Sequence, residues 1–423
     1  MRCVALFRSR FMQPVSISLD EMLAARDLRQ ATQNELLSRF RLPLVCATLS
    51  IAGPVKDGFA ERLLLSDAVD RLKALCSSPV YERLDCFPTG PIAYLCFRED
   101  AATLKRLCVS VEETLPAFRL VDLDVLSPDS EKIERTVPRR CLLCDRPAHE
   151  CARSRAHGLL AVQEKTRELL TEYASTRLGE LAVSALLEEL SVTPKAGLVD
   201  RNNNGSHRDM DFSLFTKSAN TLLPYFSAFV SAGADRAKLT EIGLKAEQAM
   251  FAATNGINTH RGAIYCFGLT LGALGETLWK GRFSDELLLL TQNETESAGT
   301  RHGQQTYARY GVGGAKTEAR LGFPHAREAA DRLKTERAQD VFLYLLTCMD
   351  DSTLLYRGGE EAKRTLKAQA AEILRLPLPL RDAAHLKLDE TCRENGWTAG
   401  GAADLLALGL FLRTVADATR LTD

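Results

Sequence analysis

Two hydrophobic periods run along this chain, and the change from one to the other divides it. Ser18 followed three residues later by Glu21 is a capping-box pattern opening a polar helix toward Phe40. Residues 44–51 form a strand-like run, Leu-Val-Cys-Ala-Thr-Leu-Ser-Ile, closed by Gly53-Pro54. A helical period over 59–75 follows, then strand patterns at 80–87 and 91–97 around the turn signal Pro88-Thr89-Gly90. A helix at 100–115 and a strand at 117–126 complete a compact α/β (α+β) domain. From His157 onward the period is helical almost throughout, punctuated by Gly and Pro. Helices are predicted at 159–173, 176–190, 239–253, 263–278, 326–346, 360–374 and 402–418. The pattern predicts two domains, a small α/β domain over residues 1–172 and an all-α helical domain over 173–423. They are expected to join through helix, not through a flexible linker.

Composition agrees with that division and narrows the partners. A chain of 423 residues suits two or three domains of about 150 residues each. It carries 54 Lys+Arg against 55 Asp+Glu, a formal net charge of -1, so it lacks the basic excess of a nucleic-acid or membrane-surface binder. Anions, if handled, must be met in local pockets. The opening Met-Arg-Cys-Val-Ala-Leu-Phe-Arg-Ser-Arg has no apolar core of signal-peptide length, and no apolar run is long enough to span a bilayer. Twelve cysteines without such a signal predict reduced thiols and a cytoplasmic protein. The stretch before Met12 reads as an extension ahead of the structured part.

Candidate chemistry in the first domain begins at Arg119-Leu120-Val121-Asp122-Leu123-Asp124-Val125. On a strand, Asp122 and Asp124 share one face about 7 Å apart, with the apolar residues on the other. Such a pair can hold Mg²⁺ for nucleotidyl transfer, or can be the solvated face of an ordinary strand. A second cluster is Cys141-x2-Cys144-x6-Cys151-x5-His157, which has zinc-ligand spacing. Arg135, Arg139, Arg140, Arg146, Arg153 and Arg155 lie around it, so buried thiols beside a basic phosphate pocket are the competing reading.

These segments, residues 44–56 with Gly53-Pro54-Val55-Lys56, 119–126 and 140–157, together resemble the holo-citrate lyase synthase family, the apo-citrate lyase phosphoribosyl-dephospho-CoA transferases. The resemblance covers most of residues 14–172; Phe118 stands where the family usually has Gly. It implies a nucleotidyltransferase-like domain that transfers a phosphoribosyl-dephospho-CoA group onto a serine of the lyase's apo acyl carrier subunit, with pyrophosphate leaving. Asp122 and Asp124 would then bind Mg²⁺, and Lys56, Arg119, Arg140 and Arg153 would meet phosphates.

The helical part carries four dense motifs. The first, residues 194–211, concentrates Lys195, Arg201, His207, Asp209 and Asp211 in a loop with little apolar content, which suits either a site or a solvated connector. Metal binding by Asp209 and Asp211 is chemically reasonable. The second is a helix bearing Glu247, followed by Asn258-Thr259-His260-Arg261-Gly262 at the start of another helix, where free N–H groups favour an anion. Singly, His260 reads as a polar residue of a first helical turn. The third, Gly311-Val312-Gly313-Gly314-Ala315-Lys316-Thr317-Glu318-Ala319-Arg320, is neither a Walker loop nor a Rossmann fingerprint by spacing. The fourth, Thr398-Ala399-Gly400-Gly401-Ala402-Ala403-Asp404, enters the last apolar helix, where Asp404 alone would suit the helix dipole.

In this order the four motifs resemble the triphosphoribosyl-dephospho-CoA synthase family over residues 178–416, with Ala196 for the family's Pro and Arg261 for its Lys. The resemblance implies that ATP and 3′-dephospho-CoA react with loss of adenine, through a transition state of oxocarbenium character that carboxylates stabilise. Asp209, Asp211, Glu247, Glu318 and Asp404 form the implied acidic set. Lys195, Arg201, Asn258, His260, Arg261, Arg320, Gly400 and Gly401 are the implied contacts to phosphates or adenine. Together the two resemblances predict a bifunctional enzyme that makes and installs the citrate lyase prosthetic group. The same chemistry serving the malonate decarboxylase carrier, or a first domain that is a zinc-stabilised carrier-binding module, are the rival readings.

Overall fold

The computed structural model describes residues 15–279, 283–292 and 302–419; the stretch before Met12 lies outside them. Ser18 and Glu21 cap each other's backbone at the start of α1 (Leu19–Phe40), as the capping box predicts. The chain then builds β1 (Leu44–Leu49), α2 (Phe59–Leu75), β2 (Tyr81–Phe87), β3 (Gly90–Cys96), α3 (Ala101–Glu112), β4 (Val121–Leu126), β5 (Lys132–Ile133) and α4 (Ala148–Ser154). The five strands make one antiparallel sheet in the order β2-β3-β1-β4-β5. The strand predicted from residue 117 begins four residues later, because Pro116–Leu120 close into a 3₁₀ turn whose Phe118 and Leu120 plug the core. β5 has only two residues, too few to leave a period in the sequence.

Side-chain alternation gives the sheet two unlike faces. Val45, Ala47, Leu95, Val121, Leu123 and Val125 face α2 and α3 and belong to the main core. Leu44, Cys46, Ile92, Tyr94 and Cys96 face the other way and form a small core with Leu36 and Leu37 of α1. Asp122 and Asp124 lie opposite Thr48 and Cys46 of β1, and so on this second face.

The helical part opens with α5 (Leu159–Leu190), one uninterrupted helix where the sequence suggests two. It is followed by α6 (Phe212–Thr221), α7 (Leu223–Ala232), α8 (Arg236–Ala253), α9 (Arg261–Thr277), α10 (Phe283–Thr291) and α11 (His302–Tyr310). The chain ends through α12 (Ala315–Arg320), α13 (Pro324–Arg332), α14 (Ala338–Cys348), α15 (Ser352–Leu374), α16 (Leu378–Asn395) and α17 (Gly400–Thr419). The run predicted as one helix over 326–346 is thus two, α13 and α14. Within α15, Gly359 takes a left-handed φ of 66°, a kink that a side chain would strain.

α5 joins the two parts. Its first half packs on the sheet domain, where the Tyr173 hydroxyl donates to Asp67 of α2 at 2.9 Å and Arg177 pairs with the same carboxylate. Its second half, with α7, α9 and α17, forms the centre of the helical part; α17 also touches α2. One apolar core runs through both parts without a break. No helix among the described residues is long and apolar enough to cross a membrane.

Candidate functional sites

On the sheet domain, Asp122 and Asp124 stand half-exposed between buried neighbours on β4. Each already has a cation. Arg139 reaches Asp122 at 3.2 Å, and Lys132 reaches Asp124 at 2.8 Å. Arg139 also meets the buried Glu112 at 2.5 Å. β5 covers only the end of β4, so on that side the Leu123 backbone finds side-chain partners instead of a strand. Glu112 of α3 accepts from its N–H at 2.8 Å, and Lys105 donates to its carbonyl at 3.0 Å. Burial raises the Glu112 carboxyl's pKa while Arg139 and Lys105 oppose the rise. Sequence reasoning missed Glu112 and Lys105, because on a helix they look like ordinary surface charges.

Of the other residues expected to meet phosphates, Lys56 and Arg119 bond carbonyls of the chain itself. Lys56 donates to the Ile51 carbonyl within its own loop. Arg119 donates to the carbonyls of Arg140 and Cys141, which ties the arginine-rich segment to β4. Arg140 and Arg153 are exposed, and Arg140 has only a loose ion pair with Asp145 at 3.7 Å. In the same segment the donor atoms of Cys141, Cys144, Cys151 and His157 all lie within 4.8 Å of one another. Arg146 hydrogen-bonds Cys144 through backbone and side chain and, with His157, lowers its thiol to about pKa 6.

In the helical part, a cavity of about 880 Å³ opens between α9, α17, the 194–211 loop and the glycine-rich entry to α12. It has the size of a pocket for a nucleotide-sized molecule. Asp209, Glu247, Glu318 and Asp404 line it, together with Asn258, His260, Arg261, Gly400 and Gly401. Four separated motifs therefore meet at one place. Asp211, Lys195, Arg201 and Arg320 do not line it. Asp211 caps α6 by accepting from Leu214 N–H at 2.7 Å. Arg201 lies over the Phe212 ring and donates to Ser191, and Arg320 bonds Thr317 on its own helix.

Lys195 is nearly completely buried, with its ammonium 2.5 Å from Glu189, an acid at the end of α5 that itself lines the cavity. Sequence reasoning passed over Glu189; the only signal was its position six residues before Lys195 in the dense loop. Burial raises the Glu189 carboxyl's pKa and Lys195 pulls it back. Asp404 sits against Gly262, whose added Cβ would fall 1.9 Å from its carboxylate oxygen, so the start of α9 can approach only because residue 262 is glycine. Burial, then Glu189 and Asp351, raise the Asp404 carboxyl well above its ordinary value, which favours its neutral form. Glu247 stays paired with Arg261 at 2.8 Å.

His260 is buried, with Nδ1 2.8 Å from the Ser218 hydroxyl, and burial lowers it to about pKa 3. It is therefore a neutral imidazole at the wall, not a cation for phosphate. Glu318 meets His325 at 2.6 Å; hydrogen bonds to Cys348 and to Glu318 raise His325 to about 10. Asp351 holds the entrance helices together. One oxygen accepts from Thr353 and Leu354 N–H at the start of α15, and the other from Ala402 N–H at the start of α17. The sequence Asp351-Ser352-Thr353 carried that capping signal unread. Asp389 fixes the first motif, accepting from Gly197 N–H at 2.9 Å and from Asn203 at 3.1 Å.

Residues 175–422 match the family model described as CitG, ATP:dephospho-CoA triphosphoribosyl transferase. Residues 17–173 match the one described as CitX, apo-citrate lyase phosphoribosyl-dephospho-CoA transferase. The chain is similar to Protein CitXG of Haemophilus influenzae, 32% identical over 93% of this chain and 96% of that protein. It is also similar to Protein CitXG of Leuconostoc mesenteroides subsp. cremoris, 26% identical over 94% of this chain and 97% of that one. The 2-(5''-triphosphoribosyl)-3'-dephosphocoenzyme-A synthase of Haemophilus ducreyi is 33% identical, with 64% of this chain and 98% of that protein covered.

Proposed function

This chain belongs to the family of fused CitX and CitG transferases, bifunctional enzymes of citrate lyase prosthetic-group biosynthesis, and we propose that each part performs one of two consecutive transfers. The helical part joins ATP to 3′-dephospho-CoA. A ribose hydroxyl of dephospho-CoA forms a bond to C1′ of the ATP ribose, the C1′–N bond to adenine breaks, and the hydroxyl's proton balances the departing adenine. The product keeps the triphosphate. The N-terminal part then transfers the phosphoribosyl-dephospho-CoA group to a serine of the apo acyl carrier subunit, with pyrophosphate leaving.

The observation that carries this reading is the convergence of four separated motifs on one acid-lined cavity of nucleotide size. Asp404, whose carboxyl burial pushes toward its neutral form, gives the wall a proton donor, and Glu247 beside Arg261 adds an ion-paired carboxylate. Negative charge at the wall favours the oxocarbenium character that builds at C1′ as adenine leaves. Asp209, Glu247 and Glu318 supply oxygen donors of the kind a Mg²⁺-triphosphate takes, and Arg261 a cation for its phosphates. Asp211, Lys195, Arg201 and Arg320 keep their places in the chain's own structure in this reading.

On the sheet domain, Asp122 and Asp124 are two carboxylates on one rigid strand face, a donor set that fits Mg²⁺. The ion, when bound, would draw charge from the leaving pyrophosphate. Lys132 and Arg139, which pair with these carboxylates, would then be available to the phosphates. Carboxylates on a sheet strand favour a nucleotidyltransferase-like domain. In this reading the division between the two activities falls between residues 172 and 173, within α5; family matches that end at 173 and begin at 175 support it. The cytoplasm, where ATP and reduced thiols coexist, is the compartment this reading requires.

The test is mass spectrometry of apo citrate lyase carrier after incubation with ATP, 3′-dephospho-CoA and the full chain. The carrier is expected to gain the mass of the whole prosthetic group. Asp404→Asn should stop adenine release yet leave transfer of supplied triphosphoribosyl-dephospho-CoA intact, and Asp122→Asn should do the reverse. No adenine from the wild-type chain would overturn the synthase reading. Modification of a malonate decarboxylase carrier in preference to the citrate lyase one would reassign the acceptor.

A further inference from the structure

Residues 127–158 have almost no core. The described segment contains one two-residue strand and one seven-residue helix, and its only buried side chains are Cys141 and Cys151. Val137 and Leu143 face outward. A stretch this long that buries so little apolar surface cannot offset the entropy of ordering its backbone. Yet its fold is definite. Cys141 N–H donates to the Arg146 carbonyl at 2.8 Å and Ala148 N–H to the Arg139 carbonyl at 2.7 Å, which folds 139–148 into a tight hairpin. α4 follows and presents Cys151 inward, and Arg155 in the left-handed region (φ 46°) turns the chain so that His157 returns to the same point.

At that point sit four soft or borderline donors. Ligands held tetrahedrally at about 2.0–2.3 Å from a Zn²⁺ ion lie roughly 3.3–3.8 Å from one another. Cys144 and Cys151 sulfurs are 3.5 Å apart, and all four donor atoms fall within 4.8 Å. The sulfurs are well beyond the S–S bond length of about 2.05 Å, so the pair is not a disulfide. His157 Nε2 is buried without a hydrogen-bond partner. Zn²⁺ with three thiolates would carry one net negative charge, and Arg146 stands against Cys144 to meet it.

We propose that Cys141, Cys144, Cys151 and His157 bind one structural Zn²⁺, which takes the place of a hydrophobic core for residues 134–158. Four protein ligands close the coordination shell, so the ion has no open position for chemistry. Its consequence lies next to it. The clasped hairpin holds the Arg140 and Cys141 carbonyls that Arg119 grips, and it delivers Arg139 to Glu112 and Asp122. The metal therefore sets the position of a cation on the acidic face of β4. This inference stands apart from the transfer reaction, because its first readout is metal content.

The full chain, purified with EDTA in the wash buffers, is expected to carry about one zinc per chain by plasma mass spectrometry. Growth with cobalt should give a thiolate-to-cobalt charge-transfer band with the strong visible absorption of a tetrahedral site. Cys144→Ser and Cys151→Ser should lose the metal and become open to trypsin within residues 135–155. Their helical content by circular dichroism should match wild type, which separates loss of the site from failure to fold. Cys108→Ser, a buried cysteine on α3, should keep full metal content. Wild-type chain without zinc after reconstitution, with the cluster thiols freely titratable, would overturn the proposal. So would isolation of a Cys144–Cys151 disulfide in place of the metal.

Discussion

Removing Lys195 tests whether this lysine serves the fold or the substrate. Its ammonium is 2.5 Å from Glu189 and donates also to the Glu189 carbonyl at 3.1 Å, with 2% and 9% of the two side chains exposed. Lys195→Met leaves a buried carboxylate unpaired at the end of α5, a loss of about 3–5 kcal/mol. For a helical part of this size that corresponds to a fall in Tm of roughly 6–20 °C. The pH dependence gives a second signature. Burial already raises Glu189 against the pull of Lys195, so without that cation its folded pKa rises further above the unfolded value of about 4.3. Between those two values the folded chain binds the extra proton, and stability falls as pH rises, by at most about 1.4 kcal/mol per unit. The variant should therefore lie nearest to wild type at acid pH and fall further below it as pH rises. Urea unfolding across that range measures the difference. Glu189→Leu combined with Lys195→Met should restore most of the stability while leaving adenine release impaired, since Glu189 lines the cavity. The reasoning is refuted if Lys195→Met melts within about 2 °C of wild type and only raises KM for ATP, the behaviour of a surface cation that meets phosphate.

Other substitutions separate architecture from chemistry in the same way. Gly262→Ala places a methyl group 1.9 Å from the Asp404 carboxylate and should lower adenine release by more than tenfold, with transfer of supplied triphosphoribosyl-dephospho-CoA unchanged. Asp351→Ala removes the cap shared by α15 and α17 and should cost about 2–4 kcal/mol in urea unfolding, roughly two helix caps' worth. His325, raised to about pKa 10, stabilises fully below its unfolded value of about 6.5, and that contribution is lost as pH rises through 10. His325→Gln should therefore be less stable than wild type at pH 6 and lose less stability between pH 7 and 10, as followed by thermal unfolding.

The elements legible in the sequence are those whose signal is local. The Ser18–Glu21 box and the Pro88-Thr89-Gly90 turn are set within a few residues, and each appears where the pattern puts it. The failures are tertiary. Residues 159–190 read as two helices because polar residues near 172–176 interrupt the apolar face. Tyr173 and Arg177 are turned instead toward Asp67 on α2, a partner that no window of the sequence contains. The 3₁₀ turn before β4 is likewise set by Phe118, which packs 6.0 Å from the Tyr173 ring and lies beneath the Arg71 guanidinium.

Charge was legible as composition but not as pairing. A basic residue in a dense motif suggests a phosphate, and several of those singled out are engaged with carboxylates of the chain itself: Lys195 with Glu189, Arg261 with Glu247. Around Asp122 and Asp124 the cations are Arg139 and Lys132. The distinction that decides between scaffold and site is burial. Lys195–Glu189 is sealed and must stay paired, because separating buried charges costs several kcal/mol. Lys132–Asp124 and Arg261–Glu247 keep a fifth or more of each side chain exposed, so exchanging one partner for a metal ion or a phosphate costs little. In the proposed reaction that exchange does two things at once. Asp122 and Asp124 would hold Mg²⁺, and Lys132 and Arg139 would then be free for phosphates. A net charge near zero is compatible with strongly anionic substrates, because cations and carboxylates are held together at these sites and an arriving anion would have to exchange only exposed partners.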